Sequence, residues 1–245
     1  MSQFHFSAIG FVQTPFADKF GIPRQPGLAA AAKGVIKIKP DPDLKTALRS
    51  LEEFSHIWIV FVFHEHGGKD WKPSIRPPRL GGSRKVGVLA SRSPHRPNPI
   101  GISAVALDKI DFEAAGGPEL HVSGVDLLNG TPVLDLKPYL PYADSVPTAN
   151  AGWASSPIER VAVTIAAGAE LVSLTIEDRA MIIEILELDP RPAFQKRQLP
   201  AADKNLIGRN FGVKILGFEV KYEISAEGFL VTDISLSPSP PGTKS

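Results

Sequence analysis

The residues with most scope for chemistry crowd into one segment, Ser91-Arg92-Ser93-Pro94-His95-Arg96-Pro97-Asn98-Pro99-Ile100-Gly101-Ile102-Ser103. Its three prolines fix φ and push the residue before each toward extended backbone, so the loop is nearly rigid. Arg92, Arg96 and Asn98 are thus offered on a pre-ordered backbone, which lowers the entropic cost of binding. Gly101 is expected to let the chain turn into the next strand. The plainer alternative is a stiff turn that closes a barrel.

This motif ends a basic tract. Between positions 69 and 96, Lys69, Lys72, Arg76, Arg79, Arg84, Lys85, Arg92 and Arg96 stand against Asp70 alone, a net +7 in 28 residues. The whole chain has 27 Lys+Arg and 26 Asp+Glu, so the remainder, 19 basic and 25 acidic, carries −6. Prolines and glycines interrupt the tract too often for a helical stripe, which leaves exposed loops. Clustered guanidinium groups pair well with phosphates. Lys72, Arg76, Arg79, Arg84, Lys85 and Arg96 are therefore candidate nucleic-acid contacts, the alternative being a solvated surface that aids solubility. The overall charge of +1 excludes only indiscriminate, histone-like binding.

Two further segments place polar groups on stiff backbone. Gly21-Ile22-Pro23-Arg24-Gln25-Pro26-Gly27 brackets Arg24 and Gln25 with prolines. Asp126-Leu127-Leu128-Asn129-Gly130 sets a carboxylate and an amide at a strand end before a tight turn. Such a carboxylate could hold a ribose hydroxyl or an ammonium group, or merely cap an Asx turn. His64 and His66 flank Glu65 and would share one face of a strand, but a metal would need Asp70 or His56 as a third ligand. A strand end meeting solvent or ligand is the simpler reading, and no metal is expected.

Several chemistries are excluded outright. With no cysteine there are no disulfides, thiolate metal sites or Cys nucleophiles. No two glycines lie two apart, so the Gly-x-Gly of dinucleotide sites and of Rossmann-type methyltransferases is missing. The phosphate-binding P-loop and the Gly-x-Ser-x-Gly elbow are missing too. No apolar run approaches the roughly 18 residues of a membrane helix, and the N-terminus shows no secretory signal, so a soluble cytoplasmic protein is expected.

The elements that must position these groups are mostly strands. Twenty-one Gly and 23 Pro make about 18% of the 245 residues, against roughly 12% in ordinary chains. Short strands with tight turns suit that punctuation. Strands are expected at 8–12, 56–64, 86–90, 102–110 and 120–128. The run at 56–64 is apolar enough to be covered on both faces. One helix, over 44–51 with Asp43 as its cap, interrupts them. The expected class is mainly β: a β-barrel domain over 1–145, then a connector at 141–157 and a small α+β domain over 158–237. That second domain should hold a strand at 161–165, a helix from Asp178 that carries Met181, Ile182, Ile185 and Leu186, and a hairpin of 211–224 with 229–236. The Ser/Pro-rich last nine residues should be disordered.

Together these motifs resemble the TrmO (TsaA-like, YaeB-like) family. The resemblance rests on the Ser91–Gly101 motif, on Pro23-Arg24-Gln25, on the stretch from Asp126 to Tyr142, and on Asp189-Pro190-Arg191-Pro192-Ala193-Phe194 near the end. It implies a β-barrel methyltransferase outside the Rossmann class that uses S-adenosyl-L-methionine. Its implied substrate is threonylcarbamoyladenosine at position 37 of a tRNA, methylated on the exocyclic nitrogen, and its implied assembly a homodimer. The family's cofactor site would fall on Pro23, Arg24, Gln25, His64, Glu65, Arg92, Ile102, Asp126, Leu127, Leu128 and Asn129. Glu65 stands where the family often has Gln. For a base that takes the proton of the acceptor nitrogen, His64, Glu65 and Asp126 are candidates. The rival readings are a non-catalytic RNA-binding module, and a methyltransferase of the same fold acting on another RNA base or a small molecule.

Overall fold

The computed structural model describes residues 3–17, 21–65, 71–201 and 203–237. His66, Lys69, Asp70 and the tail from 238 onward, each of which entered an expectation above, lie outside the described residues.

The first half runs β1 (Gly10–Gln13), β2 (Lys33–Ile38), α1 (Pro42–Ala47), β3 (His56–Val62), β4 (Ser74–Ile75), β5 (Val86–Gly87), β6 (Ile100–Asp111), β7 (Glu119–Ser123), β8 (Thr131–Pro138) and α2 (Pro141–Asp144). Six strands close an antiparallel barrel in the order β1-β2-β7-β6-β3-β8, with β8 pairing back onto β1. Period-two alternation fills it: Ile57, Ile59 and Phe61 of β3 meet Ile36, Leu120, Val122 and Val133 in a buried core. Each such side chain contributes about 1.5–3 kcal/mol by leaving water. The mainly β barrel expected from composition and strand runs is the fold observed.

The details depart from expectation at several points. The outer face of β3 is only half-buried at Trp58, Val60 and Val62, so the strand is covered on one face rather than two. Trp58 leans on Tyr139, ring centroids 5.6 Å apart. The cap of α1 is Asp41, whose Oδ1 accepts from the backbone N–H of Asp43 at 2.8 Å and of Leu44 at 3.2 Å. Pro42 dictates that start, because at the first helical position its missing N–H costs nothing. The expected strand at 86–90 shortens to two residues and gives way to a 3₁₀ turn at Val88–Ala90. Paired with β4, it folds part of the basic tract into a two-stranded apron, where loops alone were expected. Strands β2 and β8 were not anticipated, the latter because Pro132 and Pro138 mask it.

The second half holds β9 (Val163–Ile165), α3 (Ile176–Glu187), α4 (Ala193–Gln198), β10 (Asn210–Ile215), β11 (Phe218–Ile224) and β12 (Phe229–Leu236). The sheet order is β10-β11-β12-β9, antiparallel except for β9 against β12. Helix α3 lays Met181, Ile182, Ile185 and Leu186 into the core, the four residues expected there, with Thr175 Oγ1 accepting from Asp178 N–H at 3.0 Å as its cap. The stretch 211–224 is two strands rather than one. Leu216 and Gly217, at φ 57° and 80°, make the two-residue turn between them, a conformation in which Leu gives no turn signal.

Polar ties dock the halves. Ala31 N–H donates to Glu184 Oε2 at 2.9 Å, Arg160 bridges Leu28 O and Glu187 Oε2 at 2.6 Å each, and Arg197 donates to Gly81 O at 2.8 Å.

Candidate functional site

The barrel mouth and the C-terminal half enclose a cleft of about 1030 Å³. Its barrel wall is built from the ends of β3 and β6, the Pro23–Gln25 loop, Asp126 and the proline-rich motif; Ile185, Leu188, Asp189, Pro190 and Pro192 form the opposite side.

Asp126 follows the end of β7 and turns its carboxylate toward β6. Ser103, 1% exposed, donates its hydroxyl to Asp126 Oδ1 at 2.6 Å. Burial pushes the Asp126 carboxyl up to about 6, although the Ser103 hydrogen bond and the positive charge of Arg92 oppose the rise. Arg92 Nη1 donates to Gln25 Oε1 at 2.8 Å, and Gln25 donates in turn to the carbonyl of Arg24. A carboxylate, a hydroxyl, an amide and a guanidinium thus converge on one wall beside Phe61 and Phe63, whose rings meet edge to face at 5.0 Å. Surrounding protein also lowers the Arg24 pKa, with Asp189 across the cleft partly restoring it.

The motif loop is rigid for more reasons than proline. Ser91 Oγ donates to Val88 O at 2.7 Å and accepts from Ser93 N–H at 3.2 Å, and Ser93 Oγ accepts from His95 N–H at 3.3 Å. Arg96 Nη1 donates to Ser91 O at 3.1 Å, so this guanidinium staples the loop as well as facing the cleft. Gly101 does not serve as a turn: it lies inside β6, and a Cβ there would come within 2.2–2.8 Å of the Phe61 ring. Its role is to make room for Phe61.

Of the residues singled out by sequence, Pro23, Arg24, Gln25, Arg92, Ile102 and Asp126 line the cleft together. His64 and Glu65 do not; they lie past the end of β3, His64 Nε2 3.9 Å from Glu65 Oε1. Leu127, Leu128 and Asn129 also stay off the cleft wall and bind the barrel to itself. Leu127 O accepts from Thr14 Oγ1 at 2.9 Å, Leu128 O from Thr131 Oγ1 at 2.6 Å, and Asn129 Oδ1 from Thr14 N–H at 3.1 Å. Among the basic candidates Lys72, Arg76, Arg79, Lys85 and Arg96 line the cleft, whereas Arg84 is exposed elsewhere on the apron.

Sequence reasoning passed over Ser103, although it closes the motif and stands two residues from Gly101 on the same face of β6. It also missed Phe61, Trp153 and Asp189. The Asp189–Arg191 pair explains the Asp-Pro-Arg-Pro signature: Arg191, 3% exposed, donates to both Asp189 oxygens at 2.7 and 2.8 Å and to Leu199 O at 2.9 Å. Its guanidinium also lies 4.8 Å from the Phe211 ring and 5.1 Å from that of Phe229. Among the described residues no group of three His, Asp or Glu could hold a metal ion. Nor is any described helix long and apolar enough to cross a membrane.

Comparison with known proteins follows the same two halves. The model of the tRNA-methyltransferase O N-terminal domain matches residues 11–145, and that of the TrmO C-terminal domain residues 159–237. The tRNA (adenine(37)-N6)-methyltransferase of Escherichia coli K12 is 41% identical over 237 residues, 94% of this chain and 97% of its own. A putative S-adenosylmethionine-dependent methyltransferase, RcsF, of Pseudomonas aeruginosa is 42% identical over 222 residues, 88% of this chain and 90% of its own. A crystal structure of TrmO from Pseudomonas aeruginosa superposes with a TM-score of 0.72 at 34% identity, covering 96% of this chain and 99% of that one. A closed barrel with a built cleft, a matching C-terminal half and near full-length similarity lead to one conclusion: the chain belongs to the tRNA-methyltransferase O family.

Proposed function

We propose that the protein methylates the exocyclic N6 of threonylcarbamoyladenosine at position 37 of tRNA, with S-adenosyl-L-methionine as donor and the cleft as active site. The observation that carries this reading is the convergence of Asp126, Ser103, Arg92 and Gln25 on one wall of a basic cleft. The relatives named as adenine-37 methyltransferases and S-adenosylmethionine-dependent enzymes support it.

The residues present fit the cofactor. A sulfonium nucleoside bearing an amino-acid tail needs an apolar slot with amide and guanidinium heads for that tail, rather than a glycine cradle for phosphates. Pro23, Ile102 and Phe63 supply the slot; Gln25 and Arg92 supply the heads. S-adenosylmethionine brings an electrophilic methyl group, and the chain's own share of catalysis is chiefly to hold donor and acceptor in line.

A carbamoyl-substituted nitrogen is a weak nucleophile until its proton leaves. Asp126 is the one of the three candidate bases on the cleft wall, and its raised pKa suits a proton acceptor near neutrality. Ser103 fixes one carboxylate oxygen and leaves the other for the substrate. Lys72, Arg76, Arg79 and Lys85 then meet the anticodon-loop phosphates.

The remaining parts of the reading follow. The chain divides functionally at the connector into a cofactor-binding barrel (1–145) and a tRNA-selecting C-terminal part (158–237). It works as a cytoplasmic homodimer. Calorimetric titration with S-adenosylmethionine tests the cofactor site. Micromolar binding that Arg92→Ala weakens tenfold or more is expected, and a protein without affinity for the cofactor would instead be an RNA-binding module.

A further inference from the structure

Trp153 is out of keeping with the segment that carries it. From 141 to 160 every residue except Trp153 and Ala154 is exposed, and the segment lacks a periodic apolar pattern. Yet a 3₁₀ turn at Gly152–Ala154 folds the connector back so that the indole lines the cleft. Its Nε1 donates to Ala90 O at 2.9 Å, one residue before the proline-rich motif. That bond fixes the ring by its polar edge and leaves the flat faces for another partner. No aromatic ring among the described residues stacks on it. Phe61 and Phe63, the phenylalanines of the cleft, are occupied with each other.

The same cleft is lined by Lys72, Arg76, Arg79, Lys85 and Arg96. A flat ring that shares a cleft with cations is how proteins hold an unstacked base whose phosphates they also grip. We propose that Trp153 is the stacking platform for the target adenine, delivered by the connector into the wall of the barrel's cleft. The proposal rests on the function given above. It adds a substrate-binding residue from a segment outside both matched domain models, which end at 145 and resume at 159.

Two substitutions separate stacking from anchoring. Trp153→Phe keeps an aromatic face and loses the hydrogen bond to Ala90; Trp153→Leu loses both. Affinity for an anticodon stem-loop carrying threonylcarbamoyladenosine should stay within about twofold for W153F and fall about tenfold or more for W153L, as stacking energies imply. Affinity for S-adenosylmethionine and the melting temperature should not change in either. In a Trp58→Phe, Trp71→Phe background, the stem-loop should quench the remaining indole emission. The proposal is overturned if W153L binds the stem-loop like its parent, if W153F weakens binding as much as W153L, or if both lose the cofactor instead. A parent protein that neither binds nor methylates the stem-loop overturns the function along with it. A parent active on it, with W153L unchanged, overturns the stacking alone.

Discussion

Ser103 Oγ lies 2.6 Å from Asp126 Oδ1, a bond that joins a buried position of β6 to the loop after β7, 23 residues later, and orients the carboxylate at the cleft wall. The bond favours the ionised carboxylate, burial favours the neutral acid, and burial wins: the pKa rises from 3.8 to about 6.

Both activity and stability should follow that shift. If Asp126 accepts the proton, kcat/KM should fall below a limb near pH 6, and Asp126→Asn should lose activity at least about a hundredfold while keeping cofactor affinity. The stability effect has the opposite direction. A carboxyl whose pKa is raised on folding stabilises the protein fully below 3.8 and ceases to do so as pH climbs through about 6. Asp126→Asn should therefore be more stable than the parent at pH 7.5, by on the order of 2–3 kcal/mol, and gain little at pH 4. Urea denaturation at the two pH values measures this.

Gly101→Ala should destabilise the barrel by about 1–3 kcal/mol, because its methyl group would sit inside the van der Waals shell of the Phe61 ring. Phe61→Leu in the same chain should recover part of that loss. A double-mutant cycle by thermal melting reads the coupling, and additivity of the two changes would show that the ring is not what requires glycine here.

Arg76→Ala combined with Arg79→Ala should weaken tRNA binding while sparing S-adenosylmethionine affinity. Both side chains are exposed on the cleft rim, and each phosphate left without its guanidinium should lower the slope of log K against log salt by about 0.7–0.9. Filter binding at several salt concentrations measures the slope. A double variant with unchanged slope would remove these residues from the interface.

Arg191→Ala should cost about 3–5 kcal/mol, since it removes a buried guanidinium, strips the half-buried Asp189 carboxylate of its bidentate partner and leaves a void between Phe211 and Phe229. Chemical denaturation followed by far-UV circular dichroism should show the C-terminal sheet lost first. An unaltered transition would mean that the pair is not structural.

Much of the fold was legible because its signals are local. The unbroken apolar run of β3, the 3.6-residue spacing of Met181, Ile182, Ile185 and Leu186, and the proline brackets around Arg24 and Arg96 can each be read within a dozen residues. The less legible features depended on distant partners. Strand β8 carries two prolines and is a strand because β1 and β3 flank it. Leu216 adopts positive φ because the hairpin requires it, against its own preference. Gly101 looked like a hinge until the Phe61 ring was seen above it. The same distinction divides the site. Stiff loops marked Gln25 and Arg92, but only the closed barrel shows that Asp126 faces the cleft while its neighbours Leu127 to Asn129 clamp β1 and β8. Trp153 was the least legible: a connector without periodicity gives no sign of what it folds back upon.

The central claim is methylation of one modified nucleoside, and one assay addresses it directly. Purified protein, S-adenosylmethionine and tRNA with or without threonylcarbamoyladenosine at position 37 are incubated, digested to nucleosides and analysed by mass spectrometry. N6-methylated threonylcarbamoyladenosine should form only from the pre-modified tRNA. Folded, cofactor-loaded protein that leaves that nucleoside unmethylated, or that methylates the unmodified tRNA equally well, would contradict the account.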